Sequence, residues 1–111
     1  MISGLRLMWM LVMFDLPVTK DVDRRRATKF RNFLLDEGFS MSQFSVYLRF
    51  CGTREKVHTY IKKTEEHIPP NGNVSILCFT DRQYGKIVNF SNRQRTEMPK
   101  KSQQYVLFDL E

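Results

Sequence analysis

Residues 9–15, Trp9-Met10-Leu11-Val12-Met13-Phe14-Asp15, form an apolar run that stops abruptly on a carboxylate. No polar residue alternates through Trp9 to Phe14, so the run predicts a strand buried on both faces, at the centre of a sheet. Pro17 cannot donate to a ladder and holds its predecessor extended, which closes the strand at or just past Asp15. A carboxylate at the rim of a central strand is well placed to ligate a metal. The same residue also reads as an ordinary surface aspartate opening the next loop.

After Pro17, Thr19 or Asp21 is positioned to cap a helix whose apolar residues Ala27, Phe30, Phe33 and Leu34 follow a three-to-four spacing, with Gly38 as its stop. Arg24 and Arg31 project from one flank of that helix, Arg25 and Lys29 from the other. Arg26 falls near the apolar meridian and faces the strand end carrying Asp15. It reads either as an ion pair tying loop to strand or as a phosphate hook beside a metal.

From Phe39 to Phe50 the period changes to two, but Phe39 and Met41 are apolar on odd positions and Phe44, Val46, Leu48 and Phe50 on even ones. A straight strand cannot move its apolar set to the other face, so the flip near Gln43 predicts two short strands or one strongly bent one. Gly52-Thr53 opens a second helix over 54–67, with Val57, Tyr60, Ile61 and Ile68 as its inner stripe, and Pro69-Pro70-Asn71-Gly72-Asn73 ends it. Val74 to Thr80 is another mostly apolar strand.

The order strand, helix, strand, strand, helix, strand is an α+β, ferredoxin-like βαββαβ sandwich, with residues 1–90 as its core. Asp81 to Gly85 reads as a turn, Lys86 to Phe90 as a short strand and Ser91 to Gln104 as a polar connector. Tyr105-Val106-Leu107-Phe108 reads as an extra C-terminal strand, so that 91–111 is expected to pair with a partner protomer or another protein, the alternative being a tail that folds back on its own sheet edge. One helical face leaves the other sheet face bare, and a symmetric homodimer would cover it.

With 111 residues the chain supports one core, and 41% apolar residues with nine phenylalanines exclude a disordered chain. Eighteen Lys and Arg against 12 Asp and Glu give +6, which favours an anionic partner such as nucleic acid or a membrane surface. Cys51 and Cys78 form no CxxC or zinc pattern and read as free thiols in a reducing compartment; His58 and His67 read as ordinary surface or packing residues. Arg6 and the run after it faintly imitate a signal peptide. The run is too short, lacks a cleavage site and cannot span a bilayer, so a cytoplasmic protein without a membrane role is expected.

The strand end MLVMFDLP, the helix RRRATKFRNFLLDEGF, the segment QFSVYLRF, and NVSILCFT followed by Gln83-Tyr84 together resemble the CRISPR-associated protein 2 family. The variety most similar accompanies single-effector, RNA-guided nuclease systems. The resemblance runs from about Leu7 to Phe108 and rests on the order and spacing of these segments. It implies a ferredoxin-like homodimer at the centre of the spacer-integration complex, flanked by dimers of the integrase, CRISPR-associated protein 1, with duplex DNA as spacer precursor lying across the assembly. Family members are also described as metal-dependent ribonucleases or deoxyribonucleases, in which the aspartate ending the first strand meets its twin across the dimer axis. Carried over, Asp15 is catalytic residue and metal ligand, with one Mg²⁺ shared per dimer and single-stranded RNA as a further substrate. Gln43, Ser45 and Tyr47 match a segment near that axis. Met41 stands where several nuclease members place a basic residue, and Phe14 where tyrosine often precedes the aspartate.

Duplex binding needs cations spread over a wide surface. Arg24, Arg25, Arg26 and Lys29 make one cluster; Arg93, Arg95, Lys100 and Lys101 make another. Solvated charge, partly neutralised by Asp21, Asp23 and Glu97, is the plainer reading of both. A ribonuclease toxin of the same fold would share Asp15 and the dimer without an integrase. An RNA-recognition module is disfavoured, since no basic-Gly-aromatic run occurs.

Overall fold

The computed structural model describes residues 6–100. They form β1 (Met8–Asp15), α1 (Asp21–Asp36), β2 (Ser40–Gln43), β3 (Val46–Gly52), α2 (Arg54–Glu65), β4 (Asn73–Thr80), α3 (Asp81–Tyr84), β5 (Asn89–Ser91) and β6 (Gln94–Thr96). The first four strands make one antiparallel sheet in the order β2-β3-β1-β4, so the opening run is an inner strand of a ferredoxin-like βαββαβ sheet, as its sequence requires.

Alternation along β1 explains why the run carries no polar residue. Met8, Met10 and Val12 join Phe30 and Leu34 of α1 and Val57 of α2 in one core, with Phe14 packed at its margin. Trp9 turns the other way and is buried with Leu48, Phe50 and Tyr84, with Leu11, Phe79 and Met98 at the margin. Apolar neighbours on both sides remove the need for alternation in the first half of the strand, whereas toward Asp15 the second side is open and Met13 is exposed, so the expected burial on both faces holds only near Met8.

The parity flip is a hairpin. Phe44 and Ser45 lie between β2 and β3, Ser45 has a φ of 63°, and the register shifts between Met41 and Gln43. Local capping differs from expectation at α1: Lys20 is the N-cap, without a side-chain bond, and Asp21 lies inside the first turn, paired with Arg24. There its carboxylate still complements the helix dipole. Thr53 does cap α2, accepting from Lys56 N at 3.2 Å. The inner stripe of α2 also needs correcting. Ile68 lies beyond the helix end and is exposed, whereas Thr64 is buried because its hydroxyl donates to Tyr60 O at 2.7 Å.

Arg49 ties the helical layer to the sheet. Only 9% exposed, it donates to Glu37 O at the end of α1 (2.8 Å), to Phe50 O (2.7 Å) and to the Tyr60 hydroxyl of α2 (2.6 Å). Its guanidinium also lies 4.0 Å from the centre of the Tyr60 ring. Charged groups are buried only when paired in this way.

Past β4 the structure departs from the turn, strand and connector expected. Thr80 Oγ1 accepts from Gln83 N at 3.1 Å and Gln83 Oε1 accepts from Thr80 N at 2.8 Å, a capping box that makes 81–84 helical. Tyr84 then stacks on Trp9 at 3.7 Å, and Trp9 Nε1 donates to Asp81 Oδ1 at 2.7 Å. Instead of a strand over 86–90 and an irregular connector, β5 and β6 form a hairpin that crosses residue 90, turned by Asn92 and Arg93 at φ 52° and 68°. The Tyr84 hydroxyl donates to Pro99 O, which holds the following segment on the sheet face. The expected strand Tyr105–Phe108 lies outside the described residues. Among the described residues no helix is long and apolar enough to cross a membrane.

Candidate metal centre and nucleic-acid interface

Asp15 shares its parity with Trp9, Leu11 and Met13, so it projects from the sheet face opposite α1 and α2. It is exposed and forms no ion pair among the described residues. Its backbone, by contrast, is tightly placed. Asp15 pairs with Asn73 of β4, and the preceding Phe14 N donates to Ser45 O at 3.1 Å. Gly72 has a φ of +100°, and a Cβ there would stand 2.7 Å from Asp15 O. Only glycine allows that approach.

The sheet face is divided. At the Met8 end, Tyr84 and Met98 cover Trp9, Leu48 and Phe50. Toward Asp15 it is bare, with Met13 47% exposed and Leu77 55%; Phe44, at the nearby hairpin tip, is 85% exposed. The expectation of a wholly uncovered face is therefore corrected to half a face.

Among the described residues no three His, Cys, Asp or Glu side chains gather as a metal site. Mg²⁺ commonly takes one or two protein carboxylates and keeps several waters. A single exposed, unpaired carboxylate fits half of such a site. Arg26 forms no ion pair with Asp15; it lines a small crevice with Pro17, Asp23 and Asn71 on the helical side. Of the residues matched to the dimer axis, Gln43 is exposed at the end of β2 and Ser45 is half-buried in the turn. Tyr47 is 1% exposed, stacked on Phe14 at 5.7 Å in the helical core. Burial pushes its phenol pKa up, an effect partly offset by the Arg31 guanidinium. Tyr47 thus supports the strand of Asp15 from behind and does not reach the open face.

The basic residues divide as well. Arg24 is engaged locally, donating to Val18 O at 3.0 Å and Thr19 O at 2.9 Å besides pairing with Asp21. Arg25 and Lys29 are exposed in a groove of about 580 Å³ that also includes Asn32, Phe33 and His67. Arg93 sits in the β5–β6 turn, Arg95 lies opposite Phe90, and Lys100 follows Pro99 beside Trp9 and Tyr84. Lys101 lies outside the described residues. Since Asp15 and Met8 are opposite ends of β1, α1 and α3 begin at opposite ends of the sheet, and the two clusters do not merge within one protomer.

Sequence reading missed two features. The Trp9–Asp81–Tyr84 contact was signalled by Thr80-x-x-Gln83, a capping-box spacing. The stacking of Phe33 on His67 at 3.9 Å joins residues far apart in the chain and had no local signal.

This architecture defines a basic, ferredoxin-like α+β protein with an exposed carboxylate at the rim of a half-covered sheet face. The family model described as CRISPR associated protein Cas2 matches residues 8–87, and the chain belongs to that family. It is 51% identical over 108 residues to the CRISPR-associated endoribonuclease Cas2 of Paracidovorax avenae, covering 97% of this chain and all of the relative. The protein of the same name from Flavobacterium psychrophilum is 42% identical over 103 residues, 93% of this chain and 90% of that one. That of Parvibaculum lavamentivorans is 36% identical over 101 residues, 91% and 100%. Membership supports a role in CRISPR adaptation, within the complex that carries it out.

Proposed function

We propose that the protein is a homodimeric scaffold of spacer integration that binds duplex DNA without strong sequence preference and carries a Mg²⁺-dependent phosphodiesterase centre at its twofold axis. The observation that carries this reading is the unpaired Asp15 at the edge of a surface with Met13 and Leu77 exposed and Leu11 half-buried. Apolar area of this kind is a protein-contact surface, and a second copy seated on it brings two strand ends together. Two Asp15 carboxylates, one from each protomer, would hold the ion, which when bound supplies Lewis-acid polarisation of a phosphoryl oxygen. The role of the chain is positional. The Gly72 approach and the Ser45 contact hold the aspartate on the rim, and the Tyr47–Phe14 stack stiffens the strand behind it.

The cations on α1 and on the β5–β6 hairpin would contact phosphates, and dimer symmetry doubles both surfaces. CRISPR-associated protein 1 is the expected integrase partner, with duplex DNA as spacer precursor and single-stranded RNA as a cleavage substrate. The test separates scaffold from catalyst. Asp15→Ala should abolish metal-dependent cleavage and leave dimerisation and spacer integration working; loss of integration with the dimer intact would refute the scaffold role. Leu77→Lys should yield monomers in sedimentation, and an undisturbed dimer would remove this face from the interface.

A further inference from the structure

The outer side of α1 carries a groove that the dimer and its metal centre do not use. Arg25, Lys29, Asn32 and Asp36 follow one another at helical spacings of four, three and four, and so form one stripe. Arg25 and Lys29 are like charges one turn apart, a repulsive arrangement, and neither has an ion-pair partner among the described residues. Beside them the groove is walled by an aromatic step, the His67 ring stacked on Phe33 at 3.9 Å and 13°. The step is held in place: His67 Nδ1 lies 2.7 Å from Lys63 O, to which its N–H donates. His67 remains exposed.

We propose that this groove binds an unpaired nucleotide of a single-stranded nucleic acid, its base stacked on His67 and its phosphate held by Arg25 and Lys29. A ring fixed on one face and exposed to solvent offers a sequence-tolerant platform for a base. Asp36, at the far end, repels phosphate and gives the site a direction, with the backbone at the Arg25 end and the base toward the Asn32 amide. A paired base inside a duplex cannot present its flat face, so the site distinguishes single strands from duplex. The inference deepens the nucleic-acid reading above and rests on it.

The test uses fluorescence anisotropy and 2-aminopurine quenching with the full chain. Its probes are a short oligodeoxynucleotide, the matching oligoribonucleotide, AMP and a blunt duplex. His67→Ala should weaken both single strands by about ten-fold and remove the quenching, with duplex affinity retained. His67→Phe, which keeps the stack, should restore both. Equal DNA and RNA affinities fit contacts to base and phosphate alone, and a bias toward one identifies the strand that the groove serves. Equal losses on duplex and single strands, or failure of His67→Phe to rescue, would overturn the proposal. So would binding of AMP without binding of either strand. A protein that binds the duplex but neither single strand refutes this site alone, whereas one that binds neither form refutes the nucleic-acid reading as a whole.

Discussion

Replacing Arg49 by methionine tests whether the helical layer is positioned as described. Methionine keeps most of the stem and removes every donor, leaving Glu37 O, Phe50 O and the Tyr60 hydroxyl without the guanidinium. Hydrogen bonds to charged groups contribute about 1.5–3 kcal/mol each, and the lower figure is taken for all three because two of them are part-buried and regain some water. The expected loss is about 4–5 kcal/mol, or a midpoint lower by about 20 °C in a domain of this size. Urea titration followed by far-UV circular dichroism at fixed protomer concentration reads it, with an unchanged slope showing that compactness is preserved. Tyr60→Phe should cost about 1 kcal/mol, and the double variant about 1 kcal/mol less than the sum, because the partners share one bond. A loss for Arg49→Met below about 1 kcal/mol, or strict additivity with Tyr60→Phe, would refute the assignment.

Gly72→Ala should destabilise the fold by about 2 kcal/mol and reduce metal-dependent cleavage by displacing the Asp15 strand end, with Gly85→Ala as a near-neutral control; equal melting midpoints would refute the close approach. Reversing Arg93 and Arg95 to glutamate should weaken duplex binding and flatten the dependence of log K on log salt by about 2 per protomer, and an unchanged slope would remove the hairpin from the DNA surface. Burial pushes the Cys51 thiol up to about 11, leaving on the order of one thiolate in a thousand at pH 8. Mass spectrometry after iodoacetamide treatment should therefore find Cys51 modified only once the protein is unfolded, and prompt labelling of the native state would refute its burial.

The apolar run of β1, the spacing of Ala27, Phe30 and Leu34, and the parity flip near Gln43 each marked an element, because burial leaves a pattern in the sequence, an unbroken apolar run in an inner strand and a period where one face is covered. The hairpin left none. Both its strands are short and largely exposed, and its turn is Asn92-Arg93 instead of the Asn-Gly that announces such a turn. Asp15 stood out as a candidate because a carboxylate ends an otherwise apolar strand. Arg26 and Tyr47 could not be placed by spacing alone, since a helical wheel or a period of two gives a face and not a neighbour. The same limit hid the Phe33–His67 stack, in which each member looks ordinary alone.

The contact between Trp9 and Tyr84 has a practical use. Trp9 is the sole indole in the chain, and it is sandwiched in the seam where α3 rests on the sheet. Its emission is a built-in gauge of that seam: blue-shifted while α3 is seated, moving to longer wavelength if the latch lifts, with no label required.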